Sequence, residues 1–524
     1  MSEPSQNGER ADNLPVAPIG DVPGITFSST TISTVTVPVK DLNDVAKGFR
    51  GRAERSRDGK AVFIEGSAAK PAVFEPEKIA NELRLWWEDG SGDKFILEQG
   101  TNGHATWSTW NETKIVKLMR SRYVRLKARD DEMLGEIDQV LLHTMQERRL
   151  DLSLEALPGY KQGIHEYNGK RILVRTSPRL IEPKKCEWPT VKQLIDGRLN
   201  LEDDGGPDQT LYFHGWNKAS LESLLAGPGN FRPGQCCIFA GPRDSGKSRL
   251  QHQVITGLFG GRSADPGPYL FGRTDFNGEW LEGEHLLMED PASSTFTKDR
   301  VMFGEKLKQI VVNDTQRLHP KRETAQMLQP FFRLTISVND DPDKLRVLPL
   351  LTPDMKDKVQ LFKVASAPMP MPTMTLPERA AFREKIANEL PAYAWWLLNE
   401  FTLPAELRGE RFGVKSWLHP ALEQELFEDT PAAELLRIID AAQWNGLYLW
   451  DLESASKPSS GVWMNGSHKL EDLLLNSSMS KEAERLLKHN KLDRLLGRLK
   501  EDEPDRVIKT RTEHERRWMI SRPG

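Results

Sequence analysis

The sequence has little of what would take a chain out of a reducing, aqueous compartment. Its 524 residues include three cysteines, two of them adjacent at Cys236 and Cys237. That is too few for a disulfide framework or a cysteine-rich zinc site. No run of eighteen apolar residues occurs, so no segment reads as a membrane-spanning helix. The opening MSEPSQNGERADNLP lacks the basic start and apolar stretch of a secretory signal. These absences point to a cytoplasmic protein, in a bacterial cell or an infected host, with no membrane partner. No internal repeat of fixed period is present.

What is present fits a multidomain soluble protein: 28% charged residues, 38% hydrophobic and a net charge of −4. The charge is unevenly spread. Lys481 to Gly524 holds 13 Lys/Arg against 9 Asp/Glu, a local +4, which leaves −8 for the rest. Between Asn111 and Arg129 there are 7 basic residues and one acid, Glu112. Local field governs encounter with nucleic acid more than total charge does. Either segment alone reads equally as a solvated helix face.

Residues 1–35, rich in Pro, Ser, Gly and Asn, read as a disordered tail. Residues 36–225 read as a mixed α+β region. AVFIEG (61–66) and KFILEQG (94–100) predict short strands, KIANELRLWWE a helix, and TNGHATWSTW a hairpin tip leading into a basic helix. Residues 226–405 carry nucleotide motifs after the Gly/Pro-rich entry GPGNFRPG. Residues 406–524 read as helical, closing with helix, turn, helix and two short strands, the order of a winged helix-turn-helix.

The central motif is GPRDSGKS, comprising Gly241, Pro242, Arg243, Asp244, Ser245, Gly246, Lys247 and Ser248. It follows the apolar run QCCIFA and precedes RLQHQVITGLF, whose Leu250, Val254, Ile255 and Leu258 share a helical stripe. Strand, glycine loop and helix form the context in which backbone N–H groups cradle phosphates. In that context Lys247 reaches the β- and γ-phosphates of ATP and Ser248 ligates Mg²⁺. GEHLLMED places Glu289 and Asp290 at a strand end, Glu289 on the metal side and Asp290 on the attacking-water side. RLTISVND ends a third apolar run on Asn339, a γ-phosphate sensor or a plain turn former.

Lys247 and Glu289 are 42 residues apart, and Glu289 and Asn339 are 50 apart. This compact order resembles the superfamily three helicases of viruses, phages and plasmids. It resembles most the helicase part of phage and plasmid primase-helicases, of the AAA+ class, with no fused primase. GPRDSGKS, EHLLMED and TISVND match that family's two nucleotide motifs and its sensor motif. VVNDTQRLHPKRET resembles its extra motif, which implies a DNA-facing role for Lys321, with His319 and Arg322 beside it.

The resemblance implies an α/β P-loop NTPase core between a mixed α/β N-terminal region and a C-terminal winged-helix-like domain. It also implies a homo-hexameric ring that hydrolyses ATP to translocate on and unwind DNA, working with a separate primase or polymerase. In such a ring a neighbour's arginine serves each ATP. The matching stretch here, TPDMKDKVQLFK, offers Lys358, and Arg346 is the earlier alternative. Lysine lacks the bidentate fork of arginine. Lys491, Arg494 and Arg498 would face single- or double-stranded DNA from the closing helix, unless that helix simply packs its leucines inward. The rival readings are an AAA+ origin-binding or assembly ATPase without unwinding, a P-loop small-molecule kinase, and a packaging ATPase, which would bring a nuclease's clustered acids.

Overall fold

The computed structural model describes residues 34–36, 52–55, 61–64, 74–99, 105–122, 124, 134–201, 208–291, 297–319, 325–428, 430–452, 461–511 and 516–523. The expected tail, apart from its last two residues, lies outside them. The chain forms two compact units: residues 1–87 with 93–97 and 109–148, and residues 149–524 with 88–92 and 98–108. Among the described residues no helix is long and apolar enough to cross a membrane.

In the first unit, helices Pro76–Glu82, Glu112–Ser121 and Glu136–Glu147 enclose a small core of Ile79, Leu83, Leu85, Ile96, Ile115, Met119 and Val140. KIANELRLWWE is not one helix. Arg84 takes a left-handed φ of 49°, and Leu85, Trp86 and Trp87 run extended against Ile96, Phe95 and Lys94. Aromatic side chains suit a pleated strand better than a helix end. The basic helix does form, over Glu112–Ser121. Asn111 caps it by accepting the Lys114 N–H at 2.9 Å. Ile115 and Met119, one turn apart, are buried, while Lys114, Lys117 and Arg120 are exposed.

The second unit is built on a parallel sheet. Its strands are β1 (Cys236–Ala240), β2 (Ser263–Ala264), β3 (His285–Glu289), β6 (Arg333–Val338) and β7 (Val359–Lys363), in the spatial order β2-β3-β6-β1-β7. An antiparallel hairpin, β4 (Gln316–Leu318) with β5 (Gln326–Leu328), interrupts the chain between β3 and β6. Helices cover both faces, which is why CCIFA can be apolar throughout. Alternation along β1 divides the layers. Cys237 and Phe239 join α1 (Pro189–Leu199), α2 (Gln209–Ala226), the phosphate-loop helix and α4 (Leu376–Asn399). Cys236, Ile238 and Ala240 join α3 (Thr297–Val312) through Phe303 and Leu307. The sheet's apolar layers reach across both expected boundaries. Val191 and Phe213 lie before residue 226, and Leu422 and Leu426 of α5 (Pro420–Glu428) lie after residue 405.

The remaining chain has its own core, including Leu435, Ile439, Trp463, Leu470, Leu496, Trp518 and Ile520. Four helices contribute: α6 (Pro431–Ala441), α7 (Ser467–Leu475), α8 (Ser480–Leu487) and α9 (Leu492–Asp502). Three antiparallel strands complete it: β8 (Val462–Asn465), β9 (Val507–Arg511) and β10 (Arg516–Ser521), in the order β8-β10-β9.

Candidate functional site

The C-terminal ends of the parallel strands gather the motif residues. The loop after β1 turns through Asp244 at φ 59° and Gly246 at φ 95°, a left-handed backbone that Gly adopts freely. A Cβ at Gly246 would lie 2.6 Å from Arg198 Nε, so the loop's floor admits only glycine there. The helix that follows runs from Lys247–Arg249 through a π-helical stretch, Leu250–Ile255, to Thr256–Leu258. Among the described hydrogen bonds, the backbone N–H groups of Asp244, Gly246, Lys247 and Ser248 have no acceptor. A row of orphan donors at a helix start fits a phosphate chain.

Lys247 is mostly buried. Its Nζ donates to the carbonyls of Gly241 and Pro242, each at 2.7 Å, and to Asn339 Oδ1 at 3.2 Å. Burial pulls its pKa below the usual range, against the opposing pull of Asp290, Asp340, Asp244 and Asp341. Strand order explains the Asn339 contact. Because β6 lies between β1 and β3, the residue after β6 falls between the phosphate loop and the carboxylates.

Glu289 ends β3. Burial pushes its carboxyl up, but hydrogen bonds from Ser248 and His252 outweigh this and hold it below the ordinary range. The His252 Nε2 to Glu289 Oε2 distance is 3.1 Å. Asp290, one residue on, has φ 36° and donates its N–H to the Ser337 carbonyl at 3.0 Å. A non-glycine left-handed residue is strained, and such strain gathers at functional sites. Glu289 therefore faces the Ser248 hydroxyl, while the strained Asp290 turns the chain at the strand end. These oxygens suit a hard divalent cation such as Mg²⁺.

Three contributors were missed by sequence reasoning. His252 is one; only its place on the helix after the loop hinted at it. The second is a buried relay. His285 Nδ1 meets Thr256 Oγ1 at 2.7 Å, His285 Nε2 meets Thr335 Oγ1 at 2.7 Å, and Gln251 Nε2 donates to Thr335 Oγ1 at 2.8 Å. It ties the phosphate-loop helix to β3 and β6. Burial, aided by His252, pushes the His285 pKa down to about 3, so the ring is neutral. The third is Arg198, beneath Gly246. It is buried, its Nε has no acceptor, and its Nη2 donates to the Ala367 carbonyl at 3.1 Å.

The other expected residues lie elsewhere. Lys358 donates to the Asp354 carbonyl at 2.6 Å and to Asp357 at 2.7 Å. Its own carbonyl accepts the Cys236 N–H at 3.0 Å, which puts it at the strands' N-terminal edge. A strand of five residues separates it from the phosphate loop of its own chain by about 17 Å. Arg346 pairs with Asp343 at 3.1 Å. His319 follows β4; its N–H donates to Asn277 Oδ1 at 2.7 Å and its ring lies 4.9 Å from that of Phe276. Lys321 and Arg322, on the connection between β4 and β5, lie outside the described residues. Lys491 and Arg494 are exposed at the start of α9. Arg498 is not available in the same way: its guanidinium is engaged by Asp502 and the Leu351 carbonyl. It sits on the inner flank of α9, where it ties that helix to the chain before β7.

Residues 239–348 match the model of a family of unknown function, DUF5906. No curated protein matches the chain. Among solved structures, the apo A form of the NrS-1 C-terminal region is 10% identical with a TM-score of 0.46, covering 85% of this chain and 98% of that one. An active helicase, SCCmec type IV Cch, is 11% identical at TM-score 0.30, covering 80% and 73%. JCV helicase is 15% identical at TM-score 0.21, covering 46% and 66%. All three likenesses are distant in sequence and in shape.

Proposed function

We propose that the chain is an ATP-hydrolysing DNA motor, an AAA+ helicase of the superfamily three kind acting as a ring. The carrying observation is the meeting at one sheet edge of orphan loop donors, Lys247 resting on Asn339, and Glu289 resting on Ser248. On this reading the loop N–H groups bind the phosphates. Lys247 leaves the Gly241 and Pro242 carbonyls for the β- and γ-oxygens. Asn339, now released, senses the γ-phosphate. Asp290 takes the proton of the attacking water. Ser248 and Glu289 hold Mg²⁺, which supplies charge neutralisation at the phosphate oxygens.

The link to DNA rests on the β4–β5 hairpin, whose connection carries HPKRET. Lys321 and Arg322 on that connection would follow a DNA backbone, a contact tolerant of sequence and weakened by salt. A strand, three helices and two further strands over Val462–Ser521 support a winged-helix-like DNA contact through Lys491 and Arg494. A homo-hexamer would let Lys358 or Arg346 serve a neighbouring site. The second reading, an origin-binding or assembly ATPase, is favoured by lysine standing at 358, because it lacks the arginine fork.

The test is ATP hydrolysis with and without single-stranded DNA, on the native chain and on Lys247→Ala. DNA stimulation that disappears in the variant supports the motor. Hydrolysis indifferent to DNA sinks it and leaves the assembly ATPase.

A further inference from the structure

We infer that Arg249, Arg379 and Arg383 form a cationic clamp on the polyphosphate of the bound nucleotide, supplied by the same chain that supplies the phosphate loop. The inference rests on the reading of that loop as a nucleotide site.

Arg249 follows Ser248 directly, in the first turn of the phosphate-loop helix. Its guanidinium lies over the Phe382 ring, 5.7 Å from the centroid. Phe382 is buried on α4 between Arg379 and Arg383, which are four residues apart and so share one helix face. Beyond this, α4 packs directly on the phosphate-loop helix: a Cβ at Gly257 would collide with Leu390.

Of the three arginines, Arg249 lies over the Phe382 ring, the charges of Arg379 and Arg383 act on it from α4, and together they are not balanced. The guanidinium groups of Arg249 and Arg383 have no hydrogen-bonding or carboxylate partner among the described residues. Arg379 donates only to neutral carbonyls, Thr373 at 3.0 Å and Met374 at 3.1 Å. Glu378, the acid on that turn, is committed to the helix cap, where it accepts the N–H groups of Met374 and Thr375, each at 2.9 Å. Burial and then the charges of Arg379 and Arg383 lower the Arg249 pKa. Like charges held together raise the energy of the empty chain, and an anion between them recovers it.

The surroundings of Lys247 are acidic. Asp244, Asp290, Asp340 and Asp341 act on Lys247, so a polyphosphate entering there meets repulsion. Arginine forks on the phosphate-loop helix and α4 offset it and suit phosphate oxygens in shape as well as charge. The clamp would also draw the start of α4 onto the nucleotide, which couples occupancy to the segment between β7 and α4.

The experiment uses the full chain and titrates ADP and ATP with Mg²⁺ into the native protein, Lys247→Ala, Arg383→Ala, Arg383→Lys and the Arg379→Ala/Arg383→Ala pair. Arg383→Ala should weaken both nucleotides about tenfold, and the pair should lose more. Arg383→Lys should recover part of the loss. Without nucleotide, Arg383→Ala should melt at or above the native temperature, since it relieves repulsion. With saturating ADP it should gain less than the native chain. Native affinity in the arginine variants, with binding lost in Lys247→Ala, overturns the clamp and leaves the nucleotide site standing. A lower melting point of Arg383→Ala without nucleotide, at unchanged affinity, makes the arginines structural and also overturns it. No binding by the native chain removes the nucleotide reading itself.

Discussion

The two edges of the parallel sheet bury similar polar groups and treat them in opposite ways. At the N-terminal edge, Arg333 opens β6 in full burial, its pKa pushed down to about 9 by desolvation. Each of its three side-chain nitrogens donates: to Ser220 Oγ at 2.7 Å, the Phe332 carbonyl at 2.7 Å and the Arg232 carbonyl at 3.0 Å. Glu284, before β3, accepts from Arg262 and from the Gly159 N–H at 2.9 Å. At the C-terminal edge, Lys247 leans on loop carbonyls, and four loop N–H groups have no acceptor. Burial of charge therefore does not mark the site. What marks it is buried charge whose partners are provisional beside donors that have none.

Exchanging roles between the edges breaks or sharpens this contrast. Asp290→Asn should cut hydrolysis by about 10²–10⁴, with nucleotide binding and melting temperature nearly native; a rate within threefold of native would remove Asp290 as the base. Glu284→Ala should act in the reverse sense. It leaves the partly buried Arg262 and the Gly159 N–H without their acceptor, and urea unfolding should show a loss of about 1–3 kcal/mol. A loss under about 1 kcal/mol would mean that the welded edge is no weld.

His252→Ala leaves Glu289 one hydrogen bond short. The Mg²⁺ concentration for half-maximal hydrolysis should rise about tenfold, and an unchanged metal requirement would limit His252 to packing.

The smallest effect is on acid stability. Burial pushes His214 and His285 down to about 3 in the folded chain. Both take up protons more readily when unfolded, at an ordinary value of about 6.5. Their contribution is complete above that pH and is lost as pH falls towards 3. Each histidine adds up to about 1.4 kcal/mol per pH unit to the slope. Denaturation midpoints between pH 7.5 and 5 should fall less steeply in His285→Asn than in the native chain.

Sequence pattern exposed the parts of the site that are local. CCIFA, the glycine loop and the stripe Leu250, Val254, Ile255, Leu258 are adjacent in sequence, and they form strand, loop and helix as expected. Glu289 and Asn339 close apolar runs and stand at strand ends for the same reason. Strand order is not local. Nothing in the spacing says that β6 enters between β1 and β3, and this insertion is what brings Asn339 to Lys247. His252 meets Glu289 across 37 residues, and Arg498 meets Leu351 across 147. Helical periodicity allowed Arg498 to point outward, but the packing of α9 turned it in. KIANELRLWWE reads as one helix because apolar content alone does not separate a continuous helix from one that stops before Arg84.

The paired cysteines of β1 give the chain an internal clock. Cys236 and Cys237 are wholly buried and Cys186 is exposed. Burial raises both β1 thiols well above their ordinary range, and only a thiolate attacks an alkylating reagent. Cys186 should label at once, and the pair only when the central strand opens. Because β1 leads straight into the phosphate loop, the labelling rate of the pair reports how firmly an occupied loop keeps the whole sheet closed.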